Sequence, residues 1–184
     1  MSPGSPTMAT EWTVEARAGG TCLVRVVHSW FAETDEWDAQ FEGTETGWAA
    51  FFRDLALYLA YFSGQPSKTF QLMGMSAESE EETWVKLTTT LGLAGKTVGD
   101  SVHSSAPSYS GEVKYVGEGE SLILLDQPGP GIAHFFAFPM GGMACISVRV
   151  FLYGSGASEM AQKEEAVWSA WLAENFPMPE QTEA

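Results

Sequence analysis

The residues able to do chemistry are few and scattered. Histidine is the side chain that titrates nearest neutrality, and the chain has three, His28, His103 and His134. His28 and His134 sit in apolar, alternating stretches, where a histidine is more often a satisfied core or pocket-mouth group than a base. If one were a base, His134 with Tyr109 or Tyr115 would form the acid/base pair of a cyclase- or dehydratase-type enzyme. No G-x-S-x-G or HExxH pattern accompanies them. Gly95-Lys96-Thr97 resembles the end of a phosphate loop, but that loop needs a glycine five positions earlier, and Thr90 stands there. The segment also follows a predicted helix and not a strand, so it reads as a helix end and loop. Cys22 and Cys145 lie far apart in predicted strands without a CxxC, and are expected to be buried small hydrophobes and not a disulfide or metal pair. Glu78, Glu80, Glu81 and Glu82 lack the interleaved ligands of a calcium loop and read as a solvated face. Neither a metal nor a cofactor is expected.

What remains is apolar and aromatic. Trp84, Tyr109, Tyr115, His134, Phe136, Phe138, Phe151, Trp168 and Trp171 are the candidates to line a cavity. Mostly apolar cavities with a few polar groups hold small molecules. The expected function is non-enzymatic binding of a hydrophobic small molecule, such as a lipid, a polyketide or another aromatic metabolite. The competing reading is a protein-interaction module.

The elements that must position these residues follow from periodicity. Gly131 to Phe176 reads as two long apolar strands, Ile132–Phe138 and Met143–Tyr153, followed by an amphipathic helix capped by Ser158. Val167, Trp168, Trp171 and Leu172 share one side of that helix, a large apolar load that needs a wide concave partner. Upstream, Lys68–Met75 reads as a strand, Glu80–Leu91 as a helix, and Glu112–Val116 with Ser121–Asp126 as a hairpin. Ser104–Ser110 reads as a turn-rich connection. Nearer the start, Trp12–Arg17 and Thr21–Ser29 alternate across Gly19-Gly20 as a hairpin. An acidic loop, Phe31–Gly43 with Trp37, leads to a helix from about Glu45 to Phe62, striped by Trp48, Phe51, Phe52, Leu55, Leu59 and Phe62. The expected class is α+β: a curved antiparallel sheet gripping a long C-terminal helix (66–178), preceded by a partial module of hairpin plus helix (9–65). Residues 1–8 and 179–184 are expected to be tails.

The chain has 184 residues, 45% of them hydrophobic, and a net charge of −15. The acidity is spread, with three basic against nine acidic residues in 1–65 and six against fifteen in 66–184. Such a surface repels phosphate backbones and anionic bilayers, which argues against nucleic-acid and membrane partners. The N-terminal residues 1–7 have neither a basic region nor an apolar run. The apolar stretch Gly131–Val148 is broken by Pro139, Gly141 and Gly142, as suits a hairpin. A soluble cytoplasmic protein is expected. The two-stranded hairpin cannot cover its helix, so its apolar remainder predicts a homodimer through this partial module, or docking on the second.

These residues resemble a known family. Gly20–Ser29, the acidic loop with Trp37, then Gly47-Trp48 opening a helix to Leu55 and Tyr58-Leu59, resemble the end of an SRPBCC domain, the helix-grip superfamily of START proteins and the birch-pollen allergen. The branch most similar is related to the activator of the heat-shock-protein-ninety ATPase. Residues 68–177 resemble the diverged second module of bacterial two-module members. The matching parts are Trp84 with Leu87 and Leu91-Gly92-Leu93, Gly111-Glu112-Val113, Tyr153-Gly154, and Trp168 through Phe176-Pro177. The resemblance implies a helix-grip fold and, through the branch, a chaperone-associated regulatory role. The strands and helices that open the family's first module have no counterpart here. A start codon placed too late, completion by another subunit, or packing on the second module would account for that.

Overall fold

The computed structural model describes residues 7–31 and 38–177. Residues 32–37, which include Trp37 of the expected acidic loop, and most of both expected tails lie outside the described residues. The chain packs as two compact units, 1–53 and 54–184.

In the first unit, β1 (Thr7–Ala16) pairs with β2 (Cys22–Phe31) as an antiparallel hairpin, with Ala16 opposite Cys22 and Trp12 opposite Val26. The turn runs through Gly19 and Gly20 at φ of 79° and 73°, a left-handed backbone that side chains with a Cβ disfavour. Helix α1 spans Asp38–Leu57, so it begins well before the expected Glu45. The residues from Asp38 onward contain good helix formers, and acidic side chains near an N-terminus favour the helix dipole. Within this unit, the Trp12 ring meets Trp48 at 5.5 Å, Phe51 at 6.0 Å and Phe52 at 6.4 Å. Cys22 is exposed, contrary to expectation, because it sits at the turn end of a ribbon beside which no further strand lies among the described residues.

The second unit begins within α1, whose last turns pass into a π-helical turn, Tyr58–Phe62. Its six-stranded sheet contains β3 (Ser67–Ser76), β4 (Ser101–Ser105), β5 (Ser108–Gly117), β6 (Glu120–Gln127), β7 (Gly131–Met140) and β8 (Met143–Tyr153). The order is β3-β8-β7-β6-β5-β4, antiparallel throughout, so the first strand lies beside the last. Part of the expected turn-rich connection at Ser104–Ser110 is therefore strand. Helix α2 (Glu80–Thr90) packs against β7 and β8, and α3 (Ala157–Asn175) against β3 and β8. This is the helix-grip arrangement: a curved antiparallel sheet holding a long C-terminal helix.

Alternation along the strands divides the side chains between two faces. Under the helices lie Phe70, Val113, Ile123, Leu125, Ala133, Phe135, Val148, Val150 and Leu152, packed with Leu87, Leu91, Trp168, Trp171 and Phe176. On the opposite face, Leu122, Leu124, Ile132 and Phe151 meet Leu57, Tyr58, Phe62 and Tyr153. The expected stripe holds in part: Phe62 is buried, and Trp48, Phe51 and Phe52 meet Trp12, but Leu59 departs from it. Leu59 is 54% exposed, while Leu57, Tyr58 and Phe62 pack inward. The π-helical turn adds a residue to the winding and rotates the phase.

Helix α2 starts at Glu80 as expected, and the cap of α3 differs. Ser158 does not cap α3, which starts from Gly156 without a side-chain cap. The side-chain cap is on α2 instead: Ser79 Oγ accepts from the Glu82 N–H, and the Glu82 carboxylate accepts from the Ser79 N–H.

Candidate functional site

The two faces of the sheet offer two different sites. The first is charged. Hairpin β7–β8, closed by Gly141-Gly142, sets His134 opposite Arg149. Strand β6 brings Glu120 and Leu122 beside Phe136 and His134. Asp54 comes from the far end of α1. His134 is fully buried. Its Nδ1 lies 2.7 Å from Asp54 Oδ1 and its Nε2 lies 2.8 Å from Glu120 Oε1. The other Asp54 oxygen accepts from Arg149 Nη1 at 3.4 Å. Arg149 Nε donates to Gln71 Oε1 at 3.2 Å, and Gln71 Nε2 donates to Ser147 Oγ at 3.0 Å. Phe136 closes one side, with its ring 4.0 Å from the imidazole and 5.6 Å from the guanidinium. The result is one polar seam, Glu120–His134–Asp54–Arg149–Gln71–Ser147, crossing four neighbouring strands.

Its groups are those of acid–base chemistry, but the geometry holds them against each other. Both ring nitrogens of His134 are engaged by carboxylates, which leaves neither aimed at a reacting atom. Nearby, Tyr153 stacks on Phe62 at 4.1 Å and on Tyr58 at 5.9 Å. Burial, then the charge of Asp54 and Tyr58, pushes its hydroxyl up to about 12. Among the described residues no group of three or more His, Cys, Asp or Glu side chains could hold a metal ion.

The second site is apolar. Under the helices, Trp168 meets Phe135 at 5.6 Å, Tyr109 at 6.0 Å and Trp171 at 5.7 Å. The Tyr109 hydroxyl donates to the Leu91 carbonyl at 2.7 Å, and burial raises its pKa. At the mouth of the grip, where α3 ends over edge strand β3, a hollow of about 370 Å³ is lined by Leu72, Met73, Ser169, Leu172, Ala173, Phe176 and Pro177. Phe176 is tied down there: its carbonyl accepts from the Met75 N–H at 3.3 Å, and its ring meets Trp171 at 5.8 Å. A larger hollow of about 480 Å³ runs along the outside of α2 between Glu78, Glu81, Glu82, Lys86 and neighbouring residues. Its lining is charged and solvated, and Glu82 is already spent on the cap.

The nine candidate residues therefore fall on two faces. Tyr109, Trp168 and Trp171 are buried beneath the helices, with Trp84 half-buried at their edge. Tyr115, His134, Phe136, Phe138 and Phe151 lie on the opposite face. The sheet separates His134 from Tyr109, so those two do not form an acid/base pair. Sequence reasoning missed Asp54, Glu120 and Arg149. The signal was a charged residue interrupting an apolar run, as Arg149 does between Val148 and Val150.

No family model and no curated protein matches the chain. Solved structures similar to it include DynU16, a protein of the dynemicin biosynthetic locus (15% identity, covering 61% of this chain and 49% of that one, TM-score 0.43). Protein CV1439 from Chromobacterium violaceum is another (16% identity, 56% of this chain and 96% of that one, TM-score 0.36). A third is the di-domain ARO/CYC StfQ from the steffimycin biosynthetic pathway (13% identity, 93% of this chain and 66% of that one, TM-score 0.36). The chain spans about half the length of DynU16. Among the described residues no helix is long and apolar enough to cross a membrane.

Proposed function

We propose that residues 66–178 form a non-catalytic receptor for a small, uncharged hydrophobic molecule, held at the mouth of the grip between α3 and β3. The carrying observation is the hollow lined by Leu72, Met73, Leu172, Ala173, Phe176 and Pro177, with Ser169 as its one hydroxyl. Its volume of about 370 Å³ lies in the range of ligand pockets, roughly 300–1,000 Å³. None of its lining residues is charged, and the chain's net charge of −15 disfavours an anionic ligand. Phe176 and the Trp171 ring behind it give the hollow an aromatic floor, which suits a flat or ring-bearing molecule. The polar seam around His134 serves as a fastener for the sheet and the end of α1, not as a reaction centre, because its hydrogen-bonding groups are spent on one another.

Titration with the neutral solvatochromic dye Nile red tests this. A saturable blue shift at micromolar protein is expected. Ala173→Trp, which fills the hollow, and Met73→Asp, which puts a charge at its rim, should each weaken binding at least about tenfold, more than the loss of one apolar contact explains. Equal binding by wild type and both folded variants would contradict the proposal.

A further inference from the structure

The first unit carries an unpaired strand edge whose chemistry selects its partner. Among the described residues β1 and β2 form a sheet of two strands only, each ten residues long. Such a ribbon is marginal by itself, and its outer edges present unpaired backbone groups. The Arg17 N–H donates to the Thr21 carbonyl at 2.9 Å. In an antiparallel ladder, hydrogen-bonded pairs alternate, so Arg17–Thr21, Glu15–Leu23 and Thr13–Arg25 face inward. Val14–Val24 and Trp12–Val26 are then the alternate pairs, and the N–H and C=O groups of Val24 and Val26 point out along the free edge of β2.

The two edges differ in charge. β1 contains Glu11 and Glu15, whereas β2 has no acidic residue and one formal cation, Arg25. Arg25 lies opposite Thr13, so Glu11 and Glu15 occupy its diagonal positions on the same face. A chain of net charge −15 resists self-association over most of its surface. Of the ribbon's two edges, that of β2 offers the lower resistance.

We infer that β2 is the homodimer seam: two copies pair antiparallel through β2, centred on Val26, to form a four-stranded sheet β1-β2-β2-β1. In this register Val24 of one copy faces His28 of the other, Arg25 faces Val27, and Leu23 faces Ser29, so no like charges lie directly opposite; the two Arg25 side chains are diagonal to each other across the seam, and each keeps Glu11 and Glu15 as diagonal neighbours in its own hairpin. The twofold axis stands perpendicular to the sheet, which puts both Trp12–Trp48 faces on one side. Val14 and Trp12, 65% and 48% exposed, belong to that same face, which the seam widens into one apolar surface shared by two helices.

Sedimentation equilibrium of the full chain at micromolar concentration tests it. A mass twice 19.9 kDa is expected. Val26→Pro removes an outward N–H without touching the β1–β2 ladder, and should give a monomer. Val14→Pro makes the same change on the β1 edge and should leave the dimer. A second readout does not depend on proline being tolerated. In a Cys22→Ser background, Val26→Cys should cross-link to its own copy under a mild oxidant, because axis residues meet within disulfide reach, whereas Val14→Cys should not. A monomeric wild type, a dimer that survives Val26→Pro, or cross-linking by Val14→Cys alone would each overturn the inference.

Discussion

His134 meets a carboxylate at each ring nitrogen, and a neutral imidazole has only one N–H to give. The ring and both carboxyl groups form one buried hydrogen-bonded cluster, to which Arg149 adds its charge. Removing one member strands the others in the interior. His134→Ala should therefore cost roughly 3–5 kcal/mol, read as a lower urea midpoint. A loss under about 1 kcal/mol would show the seam to be solvated. Tyr153 gives a pH signature. Its folded-state pKa of about 12 lies above the ordinary 10, so its contribution is complete below pH 10 and is lost as pH rises to about 12. Ultraviolet titration should show Tyr153 ionising late, together with unfolding, and Tyr153→Phe should remove that step. Part of this seam was legible in the sequence. A two-residue turn at Gly141-Gly142, counted back equally along both strands, places Arg149 opposite His134. Asp54 was not legible, because it reaches the cluster from a helix far away in sequence and only folding brings it there.

Helix α3 was readable because its load is aromatic and periodic: Trp168 and Trp171 are buried as their spacing requires. Val167, grouped with them in the sequence, is 41% exposed, since a residue beside the stripe faces the rim of the helix. Trp168→Ala should cost about 3–5 kcal/mol, and Val167→Ala within about 0.5 kcal/mol of nothing, both by denaturant melts. The cap of α2 was harder to see, because its signature, Ser79 with Glu82, is hidden in a run of glutamates. Hydrogen bonds from Ser79 hold Glu82 below its ordinary 4.5, and bonds from Thr97 hold Asp100 below 3.8. Both contributions are present above those values and are lost as pH falls through the lowered ones. Ser79→Ala should flatten the acid limb of the stability profile; an unchanged limb would assign it to other carboxylates. The division of the aromatic candidates between two faces was the least legible part. Alternation separates Phe135 from Phe136, but it does not say which face receives the helices.

At the scale of the molecule, the sheet and its final helix supply a well-packed unit with an uncharged hollow that opens between α3 and edge strand β3, while the hairpin offers a separate, self-complementary edge. Ligand and partner thus engage different surfaces, and a variant of one should leave the other intact: Ala173→Trp should not change the sedimentation mass, and Val26→Pro should not change Nile red affinity at the hollow. The central claim is that the hollow at the mouth of the grip receives a hydrophobic molecule. Methyl-resolved NMR of protein labelled at Ala, Leu and Met, titrated with Nile red, tests it most directly. The account predicts saturable shifts at Leu72, Met73, Leu172 and Ala173, with methyls of the opposite face such as Leu124 unmoved. Shifts absent from those four methyls, or confined to the first unit, would contradict it.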